Sequence, residues 1–120
     1  MDWILSSDRP IWLQLKEQIS VGIVTGQYPP GSRLPSVREL AVKAGVNPNT
    51  MQRALTELER DGLAHSMGTM GRVVTNDSKK IEEIRRQFAD EIIRQYLTGM
   101  VQLGYTPKEA FEILEGWTNE

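Results

Sequence analysis

The residues with the most telling chemistry lie between Asn47 and Arg53, where amide and hydroxyl side chains cluster. The amide of Asn or Gln can form two hydrogen bonds with adenine, and the hydroxyl of Thr can contact a base or a phosphate. Asn49, Thr50 and Gln52 are of these types, and the guanidinium of Arg53 suits guanine or phosphate. This composition predicts contact with double-stranded DNA, and a merely solvated polar face is the alternative.

A helix that begins at Asn47 would hold these side chains together. Asn is a favoured N-cap and Pro48 suits the first helical position, so the pair predicts a helix start. Asp61 and Gly62 predict its end. For Asn47 itself we favour capping over DNA contact. Apolar residues at helical spacing predict the buried side of this helix, and they are Met51, Ala54, Leu55 and Leu58.

A shorter helix is predicted immediately before this one, because Ser36 and Glu39 have the spacing of a capping box. Arg33 and Arg38 lie on either side of Ser36, and arginines beside the free amides of a helix start suit a phosphate. A surface salt bridge is the alternative for each arginine. Two short helices separated by a turn at Gly45 are typical of a helix-turn-helix, whose second helix reads the major groove.

A β-hairpin is expected to follow the helix-turn-helix as a wing. Residues 63–66 and 72–75 can each form a short strand, and the glycines between them suit a turn. Glycine also lets a backbone approach the sugar-phosphate chain closely, although turn geometry alone explains these glycines equally well. The complete set that we predict to contact DNA is Arg33, Ser36, Arg38, Asn47, Pro48, Asn49, Thr50, Gln52, Arg53, His65, Gly68, Thr69, Gly71 and Arg72.

Three more helices are predicted outside this region. The first has a stripe that recurs every fourth residue (Ile11, Leu15, Ile19 and Ile23), and Gly26 ends it. Asp8-Arg9-Pro10 predicts its start, with Asp8 or Arg9 near the cap and the proline in the first turn. The second helix covers residues 79–103. Thr106-Pro107 opens the last helix with a further capping box.

The apolar stripe of the 79–103 helix is the predicted dimer surface. Helix-turn-helix proteins usually bind DNA as two-fold dimers, and a helix of this length, about 37 Å, exceeds what a small domain needs. Packing against its own winged helix is the alternative. The residues that we predict to mediate dimerisation are Ile81, Ile84, Phe88, Ile92, Tyr96, Met100, Leu103, Phe111, Leu114 and Trp117.

Composition excludes several classes of protein. The chain has 120 residues, 39% hydrophobic and 25% charged, which is typical of one folded domain with a small appendage. With no cysteine and one histidine, it offers no thiolate or histidine-rich metal site. It shows no catalytic motif and no apolar run of the roughly 18 residues that a membrane helix needs. We therefore expect no enzyme activity, no catalytic residues, no cofactor, no membrane association and a cytoplasmic location.

Charge separates the two parts of the chain. Residues 1–76 carry eight basic and seven acidic side chains, whereas residues 77–120 carry six and nine. Many nucleic-acid binders are strongly basic, so the total of -2 argues weakly against nucleic acid. The near-neutral charge of residues 1–76 slightly favours the alternative of a winged helix that binds only protein. The polar cluster at Asn47 and the two arginines favour DNA instead. The acidic C-terminal part is expected to stay away from DNA.

These residues, in this order, resemble the GntR family of bacterial transcription regulators. The matching segments are 10–15, 30–41, 45–55 and 58–63, among which Pro30-Gly31-Ser32-Arg33-Leu34-Pro35-Ser36-Val37-Arg38-Glu39-Leu40-Ala41 is the most specific. The short C-terminal part is similar to the YtrA subfamily, in which two helices replace a large ligand domain and mediate dimerisation. This sequence departs from the family pattern at two places. Gln52 stands where many relatives carry arginine, and the wing sequence from Gly68 to Val74 lacks the aromatic residue that is commoner there.

The resemblance implies a repressor that binds a pseudo-palindromic operator as a homodimer, often at transporter genes. The 44 residues after Asn76 are too few to enclose a sizeable pocket, so the sequence assigns no small-molecule effector. The expected fold is mainly α with a small β-hairpin. It consists of a winged helix-turn-helix at residues 1–76 and a two-helix dimerisation region at residues 77–120.

Overall fold

A computed structural model describes residues 2–119 of the chain. Five α-helices and a two-stranded hairpin follow one another within this range. They are α1 (Ile11–Val24), α2 (Val37–Ala44), α3 (Pro48–Arg60), β1 (Ala64–Ser66), β2 (Arg72–Val74), α4 (Ser78–Gln102) and α5 (Pro107–Thr118), with a 3-10 turn at Gly68–Met70 between the strands. The expected mainly α winged-helix fold is confirmed.

The chain forms two compact units, one that ends at Arg85 and one that begins at Arg86. The first unit is the winged helix together with the first turns of α4. Ile81 and Ile84 on those turns pack against its core, so the unit continues past residue 76, where we predicted a domain boundary. That boundary stays a prediction.

The core of the first unit is built mainly from the apolar stripes of α1 and α3. Leu15, Ile19 and Ile23 of α1 are buried and Ile11 is half-buried against the core, and all four apolar residues of the α3 stripe are buried. Leu63 and Val74 close the core from the base of the hairpin. The stripes predicted from helical period are confirmed for both helices.

The ends of α2 and α3 follow the predicted caps. Ser36 forms a complete capping box with Glu39, and Gly45 ends α2 in the left-handed conformation with φ 69°. The backbone N–H of Asn49 donates to the side-chain oxygen of Asn47 at 2.7 Å, and Pro48 occupies the first turn of α3. Local sequence therefore sets the turn between the two helices.

The start of α1 lies one position later than predicted. Arg9 lies next to the cap as expected, but Pro10 is the N-cap, with no side-chain hydrogen bond, and not a residue of the first turn. The reason is that the preceding segment runs along α1. The side-chain amide of Gln14 donates to the carbonyls of Ser6 and Arg9, both at 2.8 Å. These contacts keep the segment extended up to the proline.

The wing is a short antiparallel hairpin in which Ser66 pairs with Arg72 and His65 with Val73. Its glycines have the expected positive φ, 56° at Gly68 and 75° at Gly71. The segment before α2 adds to the other edge of β2, because the Leu34 N–H donates to the Arg72 carbonyl at 2.9 Å. The base of the wing is therefore bonded on both sides.

The second unit contains the rest of α4 and all of α5. Thr106 caps α5 through a capping box with Glu109, as predicted. The Tyr96 hydroxyl on α4 donates to the Ala110 carbonyl at 2.6 Å, and Ala110 is fully buried. Across residues 2–119, no helix is both long enough and apolar enough to cross a membrane.

Candidate nucleic-acid interface

The first turns of α3 expose the polar side chains that the sequence singles out. Asn49 and Gln52 are exposed and Thr50 is half-buried, whereas Met51 and Leu55 of the same helix are buried. Within residues 2–119, the Asn49 side chain has no hydrogen-bond partner. The Gln52 side-chain amide donates to the Thr56 hydroxyl at 3.4 Å. These amides are therefore free to bond a ligand outside the fold.

Asn47 and Pro48 have structural roles at the start of α3. The Asn47 side-chain oxygen already accepts a backbone N–H, which matches the favoured interpretation of this residue as a cap. Pro48 is exposed and has no backbone donor to offer a ligand. Both residues set the direction in which α3 leaves the turn, and this direction decides where Asn49 and Gln52 point.

Arg53 lies over an aromatic ring. Its guanidinium carbon is 4.3 Å from the ring centroid of Trp12 in the first turn of α1, a cation–π contact. Trp12 was not among the predicted site residues. The helical stripe of α1 predicts only its buried face, so no signal in the sequence links Trp12 to Arg53.

A groove of about 280 Å³ separates the start of α2 from the wing. Arg33 and Ser36 line one side of it, and Gly68 and Gly71 line the other. The Arg33 side chain passes so close to Gly71 that a Cβ there would lie 3.6 Å from the arginine Nε. The groove thus combines a charged side chain with an open backbone, which suits a phosphate.

Arg33 precedes α2 and Arg38 lies in its first turn, and both side chains are exposed. Within residues 2–119, neither Arg33 nor Arg38 has an ion-pair partner. The alternative of a surface salt bridge is therefore not realised for either one. Ser36 uses its hydroxyl oxygen to accept the Glu39 N–H at 3.1 Å, so its main role here is to cap α2.

The wing residues fall into two groups. His65, Gly68 and Thr69 are exposed. Arg72 is half-buried, and its Nε donates to the Glu59 carboxylate of α3 at 3.0 Å. Glu59 was not among the predicted site residues, since nothing in the spacing of α3 distinguishes it from an ordinary solvated glutamate.

The residues predicted to mediate dimerisation are also in different environments. Ile81 and Ile84 pack on the core of the first unit, and Phe88, Tyr96 and Met100 are half-buried. The other five are exposed, and they are Ile92, Leu103, Phe111, Leu114 and Trp117. Ile93 and Val101, which the sequence did not single out, are exposed too. None of the described residues of α4 is fully buried in the single chain.

Acidic and histidine side chains offer no metal site in the described structure. Within residues 2–119, no three of them are grouped so that they could hold a metal ion. The candidate functional features of the described structure are therefore the exposed amides of α3, Arg33, Arg38 and the wing.

Comparison with known proteins identifies relatives over the whole chain. The family model for bacterial regulatory proteins of the gntR family matches residues 12–74. YhcF of Bacillus subtilis, an uncharacterized HTH-type transcriptional regulator, is 34% identical over 118 residues that cover 98% of each chain. The HTH-type transcriptional repressor YtrA of the same organism is 34% identical over 100 residues, 78% of this chain and 77% of YtrA.

Solved structures agree with these relatives. A GntR family transcriptional regulator from Listeria monocytogenes has a TM-score of 0.85 and 33% identity, covering 93% of this chain and 98% of its own. The DNA-binding domain of AraR, solved in complex with operator ORE1, has a TM-score of 0.54 and 31% identity over 62% of this chain and 94% of its own. The resemblance inferred from sequence, including the similarity to YtrA, is confirmed, and the chain belongs to the GntR family of bacterial regulatory proteins.

Proposed function

We propose that the chain is a transcriptional regulator that binds a specific operator sequence in double-stranded DNA through α3 and the wing. The observation that carries this proposal is the pair of exposed amides, Asn49 and Gln52, opposite the buried stripe of α3. A helix with this arrangement can place its amides on base edges in the major groove. The AraR domain, which shares the fold, is solved with its operator.

Base reading and phosphate binding fall to different residues. Asn49, Thr50 and Gln52 read bases, since their side chains combine donors and acceptors. Arg33 and Arg38 bind phosphates, because both are exposed and without an ion-pair partner in the described part of the chain. The ring of Trp12 holds the Arg53 guanidinium in position, and from there Arg53 contacts the DNA backbone or a guanine.

The functional unit in this proposal is a homodimer. The second unit exposes five of the predicted dimerisation residues, and 72% of the Trp117 surface and 60% of the Phe111 surface are open to solvent. Large aromatic side chains at this exposure favour a protein interface. A two-fold dimer would bind two half-sites about one helical turn apart, which gives a pseudo-palindromic operator.

Repression is the regulatory outcome that we propose. YtrA, which is similar over most of its length, is a repressor. The resemblance to its subfamily suggests transporter genes as targets and a cytoplasmic location. Binding of the dimer across a promoter would block transcription without enzyme activity in the chain.

Selection of bound duplexes from a random-sequence pool tests the proposal. We expect an enriched pseudo-palindrome, and we expect its affinity to fall steeply as salt rises, because bound phosphates release counterions. The Asn49→Ala and Gln52→Ala variants should lose the preference at particular base pairs while they still bind DNA. Absence of any enriched sequence, together with no salt-dependent binding, would favour a winged helix that contacts only protein.

A further inference from the structure

We propose that Glu59 is a positioning residue that locks the wing to the recognition helix α3, and that Arg72 serves this lock instead of contacting DNA. The proposal rests on the proposed function, because the lock matters only where α3 and the wing bind one duplex together. The Glu59–Arg72–Ser66 cluster, called here the wing lock, is the structural basis of the inference.

One carboxylate oxygen holds both strands of the hairpin. Glu59 Oε1 accepts from Arg72 Nε at 3.0 Å and from Ser66 Oγ at 2.7 Å. Ser66 ends β1 and Arg72 begins β2, and the two residues pair directly across the hairpin. Glu59 lies in the last turn of α3. The wing lock therefore joins the outer end of the wing to the helix that carries Asn49 and Gln52.

The outer end of the wing needs such a contact. A hairpin with strands of three residues is marginally stable by itself. Its base is fixed, because Leu63 and Val74 are buried in the core. Beyond Ser66 the chain is exposed from Met67 to Met70, with no core contact of its own. The wing lock ties the region between base and tip to α3.

The Glu59–Arg72 ion pair of the wing lock is partly buried. The side chains of Arg72 and Glu59 are 18% and 27% exposed to solvent. Charges at this depth are less screened by salt than exposed pairs. The Arg72 guanidinium would have to leave the Glu59 carboxylate to reach a phosphate, whereas Arg33 in the same groove has no ion-pair partner within residues 2–119.

A neighbouring ion pair supplies the matched control. Glu57 pairs with Arg60 at 3.2 Å on the same turn of α3, where the arginine side chain is 73% exposed. This pair has the same chemistry, and within residues 2–119 it has no hydrogen bond or ion pair with the wing. Glu57→Gln therefore removes one carboxylate from α3 without touching the wing lock.

The first experiment measures the wing itself, in the absence of DNA. Hydrogen exchange of the wing amides, such as Met67 N–H bonded to the Gly71 carbonyl, reports local opening. We expect Glu59→Gln and Arg72→Met to speed exchange there by about 10-fold, with no change in the core amides of α1. Glu57→Gln should leave wing exchange as it is in the unaltered protein. Unchanged wing exchange in both lock variants would overturn the proposal.

The second experiment measures DNA binding in the full chain. Glu59→Gln and Arg72→Met should each weaken binding to the selected operator by about 5- to 30-fold, and the double variant should be no weaker than either one. Binding to random duplex and the salt dependence should change little. If Arg72 contacts phosphate instead, Arg72→Met lowers the salt slope by about one and Glu59→Gln strengthens binding, which contradicts the proposal.

The two experiments separate the wing lock from the proposed function. If the lock variants show faster wing exchange but the unaltered protein selects no operator, the wing lock is supported as a structural contact and DNA binding is refuted. Operator binding that is unaffected by both lock substitutions would retain DNA binding and refute the role of Glu59.

Discussion

Replacement of Asn47 and Asn49 by alanine should have opposite effects, although the two asparagines are only two positions apart. The Asn47 side chain accepts the Asn49 N–H at 2.7 Å and caps α3. Asn47→Ala should lower the free energy of unfolding by about 1 kcal/mol. For a chain of this size that loss corresponds to a drop of roughly 3–5 °C in Tm.

Asn49→Ala should leave stability almost unchanged. The Asn49 side chain is exposed and has no hydrogen-bond partner within residues 2–119, so its loss should cost less than about 0.5 kcal/mol. The cost should appear in binding. Loss of a two-bond contact with a base weakens operator binding by about 1–3 kcal/mol, or about 5- to 150-fold.

Thermal unfolding and fluorescence anisotropy measure the two quantities. Anisotropy should use the selected operator, a series of single-base-pair changes in it, and a random duplex. Asn49→Ala should lose discrimination at one base pair in each half-site. Asn47→Ser, which keeps a capping oxygen, should restore the stability lost in Asn47→Ala. The reasoning is refuted if Asn49→Ala lowers Tm as much as Asn47→Ala, or weakens specific and random duplexes equally.

Four further predictions concern other parts of the chain. Arg38→Ala should weaken binding to all duplexes alike and lower the salt slope by about one, as measured by anisotropy at several salt concentrations. Trp12→Leu should weaken operator binding by about 2- to 5-fold through loss of the contact with Arg53, whereas Trp12→Phe should retain most of it. Trp117→Ser should weaken the homodimer by about 30-fold in sedimentation, and an unaltered protein that sediments only as a monomer would contradict the dimer. Glu109 has a pKa below its ordinary value of 4.5 because the Thr106 backbone and side chain bond its carboxylate. The contribution of the Glu109 carboxylate to stability should therefore be complete above pH 4.5 and lost as the pH falls through its lower pKa in the folded protein. The difference in free energy of unfolding between the unaltered protein and Glu109→Gln should accordingly vanish in acid.

Features that depend on neighbouring residues could be predicted from the sequence. The caps at Ser36, Asn47 and Thr106 are local, since each hydrogen bond joins residues two or three positions apart. The apolar stripes of α1 and α3 follow from helical period, and the buried sides are the ones expected. The winged-helix fold follows from their order along the chain.

Contacts between distant elements could not be predicted in the same way. The start of α1 differs by one position from the prediction, and the side chain of Gln14, whose burial no local pattern reveals, holds the preceding segment. Arg72 and Arg53 carry the charge expected of DNA contacts, but their partners Glu59 and Trp12 lie on other elements. Residue type predicts what a side chain can bind, and only the fold decides what lies beside it.

The most direct measurement for the central claim is the change in backbone amide NMR shifts when the full chain binds its selected duplex. We expect the largest shifts at residues 33–38, at residues 47–53 and in the wing, with small shifts at the buried core of α1. Shifts confined to residues 86–119, with the amides of residues 47–53 unmoved, would show that α3 does not bind the duplex and would contradict the account.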